Sequence, residues 1–261
     1  MHRNPQAIML DRLIVHIGLH KTGTTWLQRH AFVPAFGVQH LVDSAQPWND
    51  SVLESLVQGV KFDPLAVRAE LERRWDGSSL PVLSAERLGG HPISGAYDRW
   101  DIADRLAEAV PGARILVGTR SEGWEESIYA QMIQEGFTGR SMVQPPRTQW
   151  KTPSWPGSYT AVVGLVEGYR QRFGRDRVAE LPYELVRDKP EQFTKLLAEV
   201  CAHEALRGAT VAAKQRENPR AQDLERLRIA NHFKVSALNP NPVVDLGPRG
   251  AAWLARVLKP F

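Results

Sequence analysis

Cysteine is almost absent from this chain of 261 residues: Cys201 is the only one. No intrachain disulfide can form, so the fold is not held by covalent staples and nothing argues for an oxidising compartment. Cys201 falls in an apolar-periodic run and reads as a small buried hydrophobe rather than a reactive thiol. Long hydrophobic runs are missing too. No stretch approaches the ~20 apolar residues of a membrane span, and the opening MHRNPQAIMLDR lacks the apolar core of a signal peptide. The expectation is a soluble, cytoplasmic protein without a membrane span. An excess of one charge is also lacking. Lys plus Arg number 33 against 29 Asp plus Glu, a net +4 that suits an anionic ligand without demanding nucleic acid. There is no internal repeat and no low-complexity segment. With 43% hydrophobic and 24% charged residues, the composition excludes a disordered chain, a coiled coil and a collagen. A single domain over 1–261 is expected, with residues 136–157 as a lid or acceptor loop and 239–261 as a C-terminal extension.

What is present is an alternation of short apolar runs and helical patterns. Residues 13–18 (LIVHIG), 81–85 (PVLSA), 113–119 (ARILVGT) and 177–181 read as strands, being short, apolar and rich in β-branched residues. Helical spacing appears over 24–36, 52–60, 64–75, 101–110, 122–135, 158–173, 190–202, 221–233 and 251–258. Asp63 is placed to cap the helix that Pro64 opens. Strands alternating with helices predict an α/β fold with a mostly parallel central sheet flanked by helices. Ligands of such sheets bind beyond the carboxyl ends of the strands. Three of those ends carry unusual chemistry: 18–25, 85–87 and 119–127.

The first reads Gly18-Leu19-His20-Lys21-Thr22-Gly23-Thr24-Thr25-Trp26. A strand, a turn rich in Gly and Thr, then a helix aims backbone N–H groups at an anion. Gly18 and Gly23 have the separation of a Walker A loop, but Thr24 stands where that motif has its lysine, and Lys21 lies inside the loop. KTGTTWLQ after a buried strand resembles the 5′-phosphosulfate loop of the sulfotransferases that use 3′-phosphoadenosine-5′-phosphosulfate (PAPS). The resemblance spans about residues 13–233. It implies a P-loop NTPase-like three-layer sandwich and a nucleotide co-substrate without a metal. Lys21, Thr22, Gly23, Thr24 and Thr25 would hold the 5′-phosphosulfate, and Lys21 would stabilise the leaving phosphate. Sulfuryl carries less charge than phosphoryl, so one lysine with N–H donors can suffice.

The end of the 113–119 strand delivers Arg120, followed by Trp124, Ser127 and Tyr129, similar to the W-x-x-S-x-Y of bacterial members. By this resemblance Arg120 and Ser127 bind the 3′-phosphate, at an interval of seven positions where the family usually has eight. Arg220, in QRENPR, is a further candidate for that phosphate. LPYELVRDKP resembles a late family stretch in which Tyr183 packs and Asp188 caps the next helix. SAE, at Glu86, resembles the S-x-E of carbohydrate-type and bacterial members, where a glutamate is the base. Glu86 lies beside the loop if its strand neighbours the first, and His20 is the rival base. Arg140, Arg147, Trp150 and Trp155 interleave cations and aromatics in a long loop that could stack on a sugar. The expected reaction is sulfuryl transfer to a hydroxyl or amine of a small-molecule or glycan acceptor, a carbohydrate or glycolipid, with no nucleic-acid partner. The alternatives are an atypical kinase using ATP and magnesium, or a non-catalytic nucleotide-binding module.

Overall fold

A computed structural model of the chain describes residues 11–44, 49–90, 96, 98–121, 123–139, 159–210, 221–236 and 238–258. The strands are β1 (Ile14–Gly18), β2 (Val38–His40), β3 (Leu80–Ala85), β4 (Arg114–Thr119) and β5 (Val178–Pro182). They form one all-parallel sheet in the order β2-β3-β1-β4-β5, so the first strand lies at the centre. Its neighbours are level with it: Ile17 pairs with Ala85 on β3 and with Val117 on β4.

Helices cover both faces, because every parallel strand must hide both its sides. One face presents Val15, Ile17, Leu83, Ile115 and Val117 to α2 (Ser51–Gln58), α3 (Pro64–Arg74), α4 (Arg99–Ala109) and α6 (Tyr159–Phe173). The other presents Ile14, Val82, Leu116 and Leu181 to α8 (Pro190–Cys201) and to the segment that leaves the first loop. This is the three-layer α/β sandwich that the alternation predicts. Cys201 is buried against the second face, and burial pushes its thiol up to about 12. Among the described residues, no helix is long and apolar enough to cross a membrane.

Local signals account for most boundaries. Asp63 Oδ1 accepts from the N–H of Leu65 at 2.9 Å and of Ala66 at 3.3 Å, and Pro64 opens α3. Three expectations change. The single helix over 24–36 is instead a short α1 (Thr24–Trp26), a π turn over Leu27–Ala31 and a 3-10 turn over Pro34–Phe36. The strand β2 was not legible, because three residues at a sheet edge show no periodicity. Asp188 does not cap the next helix: it ends α7 (Tyr183–Asp188), which directly follows β5, and its carboxylate pairs with Arg187 at 2.7 Å.

The described residues within 1–92, 96–122 and 158–213 form one compact unit, which holds the sheet; those within 123–157 and 214–261 form a second. The second unit contains α5 (Trp124–Gln134), α9 (Ala221–Asn231) and α10 (Gly247–Val257). Its core gathers Trp124, Ile128, Met132, Ile133 and Phe137, with Leu224 and Leu227 of α9 packed on them. Asn231 Nδ2 donates to the carbonyls of Ile133 at 2.7 Å and Phe137 at 2.9 Å, which ties α9 to the end of α5 and the turn that follows it.

Candidate active site

The loop after β1 takes its shape from two left-handed residues and two buried threonines. Lys21 has φ +67° and Gly23 φ +88°. Left-handed residues at alternate positions are the kind of backbone from which anion-binding nests are built. The Thr22 hydroxyl donates to the Leu19 carbonyl at 2.6 Å and closes the turn. Thr22 and Thr24 are buried, whereas Thr25 is exposed. Their seats are made by glycines facing each other across the sheet, Gly18 on β1 and Gly118 on β4. A Cβ at Gly18 would lie 1.9 Å from Thr24 Oγ1, and one at Gly118 would lie 2.7 Å from Thr22 Oγ1. No other residue lets the loop settle so close to the strand ends. Gly118 was not singled out from sequence, although a glycine ending an apolar β-branched strand is a visible signal of close approach.

The end of β3 adds the second element. Glu86 opens a 3-10 turn (Glu86–Gly89), and its side chain caps nothing there. It reaches instead to the loop, where the His20 Nδ1–H donates to Glu86 Oε2 at 2.9 Å. The two residues weighed as rival bases therefore form one pair. Burial pushes the Glu86 carboxyl up, but the hydrogen bond from His20 and the charges of His20, His16 and Lys21 outweigh it, so the net direction is down. His16 contributes little of this at neutral pH. It is fully buried, and burial lowers it to about 4 against the opposing pull of Glu86.

Arg120 follows β4 and turns back to the loop. Its Nη1 donates to the Lys21 carbonyl at 3.3 Å, and its guanidinium lies 4.8 Å above the Tyr183 ring, a cation–π contact. Tyr183 also packs beside Gly23, the role expected for it. The neighbouring ends are tied in the same way. Ser121 donates through its N–H and hydroxyl to Glu184 Oε1 at 2.8 and 2.9 Å, and the Thr119 hydroxyl donates to Glu180 at 2.9 Å.

The first unit thus brings together Lys21, Thr22, Gly23, Thr24, His20, Glu86 and Arg120. Ser127 belongs to the second unit, where it is buried on α5 and its hydroxyl donates to the Gly123 carbonyl at 2.7 Å. Arg140, Arg147, Trp150, Trp155 and Arg220 lie outside the described residues. Sequence reasoning also passed over His16, Gln28 and Ser84, polar residues buried or half-buried next to the loop.

The chain matches no family model and no curated protein. Among solved structures it is similar to a sulfotransferase from Alicyclobacillus acidocaldarius, with 16% identity over 84% of this chain and 90% of that chain and a TM-score of 0.41. A likeness this distant adds nothing to the loop and the pair, on which the functional reading stands.

Proposed function

We propose that the chain transfers a sulfuryl group from PAPS to a hydroxyl or amine acceptor. The observation that carries this reading is the Lys21 loop at the end of the central strand, with the His20–Glu86 pair at its edge. The residues fit a phosphosulfate. Two glycines let Thr22 and Thr24 settle against the strand ends, and Thr24 Oγ1 is buried there without a hydrogen-bond partner among the described residues. Lys21 and Arg120 bring positive charge to the same loop, matching a nucleotide with two anionic ends. Ser127 and Arg220 complete the proposed 3′-phosphate set, as the motif resemblance implies. Arg140, Arg147, Trp150 and Trp155 are proposed for the acceptor, for which a carbohydrate or glycolipid hydroxyl suits both the glutamate and the aromatic residues.

When bound, PAPS supplies an activated sulfuryl group with a phosphate as its leaving group. The chain supplies the rest. Glu86, held ionised by the Nδ1–H of His20, forms with it the pair that takes the acceptor proton. The acceptor oxygen or nitrogen then forms its bond to sulfur as the bond from sulfur to the phosphate oxygen breaks. Lys21 neutralises the charge that grows on that oxygen, and the loop N–H groups hold the phosphate in line.

The test is thermal stabilisation. A melting temperature raised several degrees by 3′-phosphoadenosine-5′-phosphate without metal, and not by ATP with Mg²⁺, is the expected result. Equal or greater stabilisation by ATP with Mg²⁺ would overturn the reading in favour of a kinase. Stabilisation without turnover on any acceptor would leave a binding module.

A further inference from the structure

The sheet face beneath the loop holds a polar cluster where an apolar one would pack equally well. His16 on β1 and Ser84 on β3 are direct neighbours in the ladder and both fully buried. His16 Nδ1 lies 2.8 Å from Ser84 Oγ. Gln28, in the π turn after the loop, donates through Nε2 to both the carbonyl and the hydroxyl of Ser84, each at 3.1 Å. With Gln28 donating to it, the Ser84 hydroxyl sends its own proton to His16 Nδ1. His16 is then the neutral Nε2–H tautomer. Its Nε2 is buried with no hydrogen-bond partner among the described residues, and its ring stands edge-on to Phe32. An unpaired buried polar atom costs on the order of 1–3 kcal/mol, so the cluster is not there for stability alone.

Its connections suggest what it does. Ser84 lies two residues before Glu86. His16 lies two residues before Gly18 and the loop, and Gln28 lies just beyond the loop. The π turn adds a residue to the helix and carries Gln28 round to β3.

We infer that His16, Ser84 and Gln28 are positioning residues, which tie the lysine loop to the glutamate turn so that Lys21 and the His20–Glu86 pair keep one geometry. The purpose of that geometry rests on the sulfotransferase reading; the tie is a property of the folded chain. Two arms test it on the full chain. The first reads the imidazole nitrogens by ¹⁵N NMR in the wild type, Gln28→Met, Ser84→Ala and Ser84→Thr. In the wild type His16 should be a pure Nε2–H tautomer and His20 should be protonated and hydrogen-bonded at Nδ1. In Gln28→Met and Ser84→Ala the His16 tautomers should mix and the His20 signals should shift, while Ser84→Thr, which keeps the hydroxyl, restores them. His20 signals unchanged in both disrupting variants would overturn the tie. If Ser84→Ala does not fold, Gln28→Met, at a half-buried position, decides alone. The second arm compares binding with turnover. Affinity for 3′-phosphoadenosine-5′-phosphate should change by less than roughly threefold, while kcat falls by about 10- to 100-fold, the scale for reacting groups displaced by about an ångström. Equal losses in both would overturn the positioning role. A wild type that neither binds this nucleotide nor transfers sulfate removes the sulfotransferase reading, and the NMR arm still decides the tie.

Discussion

The two faces of the central sheet are built on different terms. On one, β1, β3 and β4 offer Val15, Ile17, Leu83, Ile115 and Val117, all fully buried and all apolar. The other begins the same way with Ile14, Val82 and Leu116, then changes toward the carboxyl ends of the strands. There it offers His16, Ser84, Gly18 and Gly118, which support the loop and the turn that carries Glu86. The apolar face gains from every ångström of surface it hides. The polar end gives up some of that gain and in return fixes directions, because hydrogen bonds specify geometry where apolar packing tolerates exchange. Apolar packing thus fills one face and most of the other, while the polar residues gather at the carboxyl end of the second face alone.

Substitutions on the two sides should separate these roles. The largest effect is expected at Lys21→Ala, which should lower turnover by about 100- to 1,000-fold, the scale for removing one charge-stabilising donor. The melting temperature should hardly move, because the Lys21 ammonium makes no ion pair among the described residues. A steady-state assay with a melting curve checks both. On the apolar face, Ile17→Ala should cost about 3 kcal/mol of stability in a denaturant titration, and affinity for 3′-phosphoadenosine-5′-phosphate per folded molecule should stay near the wild-type value. Equal losses of affinity and stability would erase the contrast. Gly118→Ala tests the polar end. The added Cβ would stand 2.7 Å from Thr22 Oγ1, so calorimetry should show nucleotide affinity about tenfold lower, with a stability loss of about 1–2 kcal/mol from the displaced loop.

The smallest effect is a dependence on pH. The Glu86 carboxyl titrates below its ordinary value of 4.5 in the folded chain. It therefore binds protons less readily when folded than when unfolded, and its contribution to stability is full above pH 4.5 and lost as pH falls through the lower folded value. Acid unfolding of Glu86→Gln should lack this part of the pH dependence. Identical wild-type and Glu86→Gln curves below that pH would mean that the His20–Glu86 bond is absent in solution. The contribution is reduced by solvent, since the glutamate is one-third exposed.

Much of this was legible along the chain because it is local. The strands at 13–18 and 113–119 announce themselves by β-branched apolar runs. Asp63 and Pro64 mark a helix start, and the displaced Lys21 between Gly18 and Gly23 marks an anion loop. The π turn was not legible, because residues 27–31 keep helical spacing and the bond from the Phe32 N–H to the Leu27 carbonyl that makes the turn leaves no mark in the sequence. Tyr183, which lies under Arg120, reads only as a packing residue in an isolated stretch, and Glu184, which receives Ser121, carries no signal there at all.

The sequence by itself determined the alternating elements, the anion loop and the list of groups able to do chemistry, since each depends on neighbours a few residues away. It could not decide which of those groups meet. That His20 and Glu86 are one pair rather than rivals, that Gly118 makes the seat for Thr22, and that Arg120 turns back to the loop all follow from the order β2-β3-β1-β4-β5. That order joins residues sixty to a hundred positions apart, and only burial of both sheet faces, a property of the whole fold, selects it.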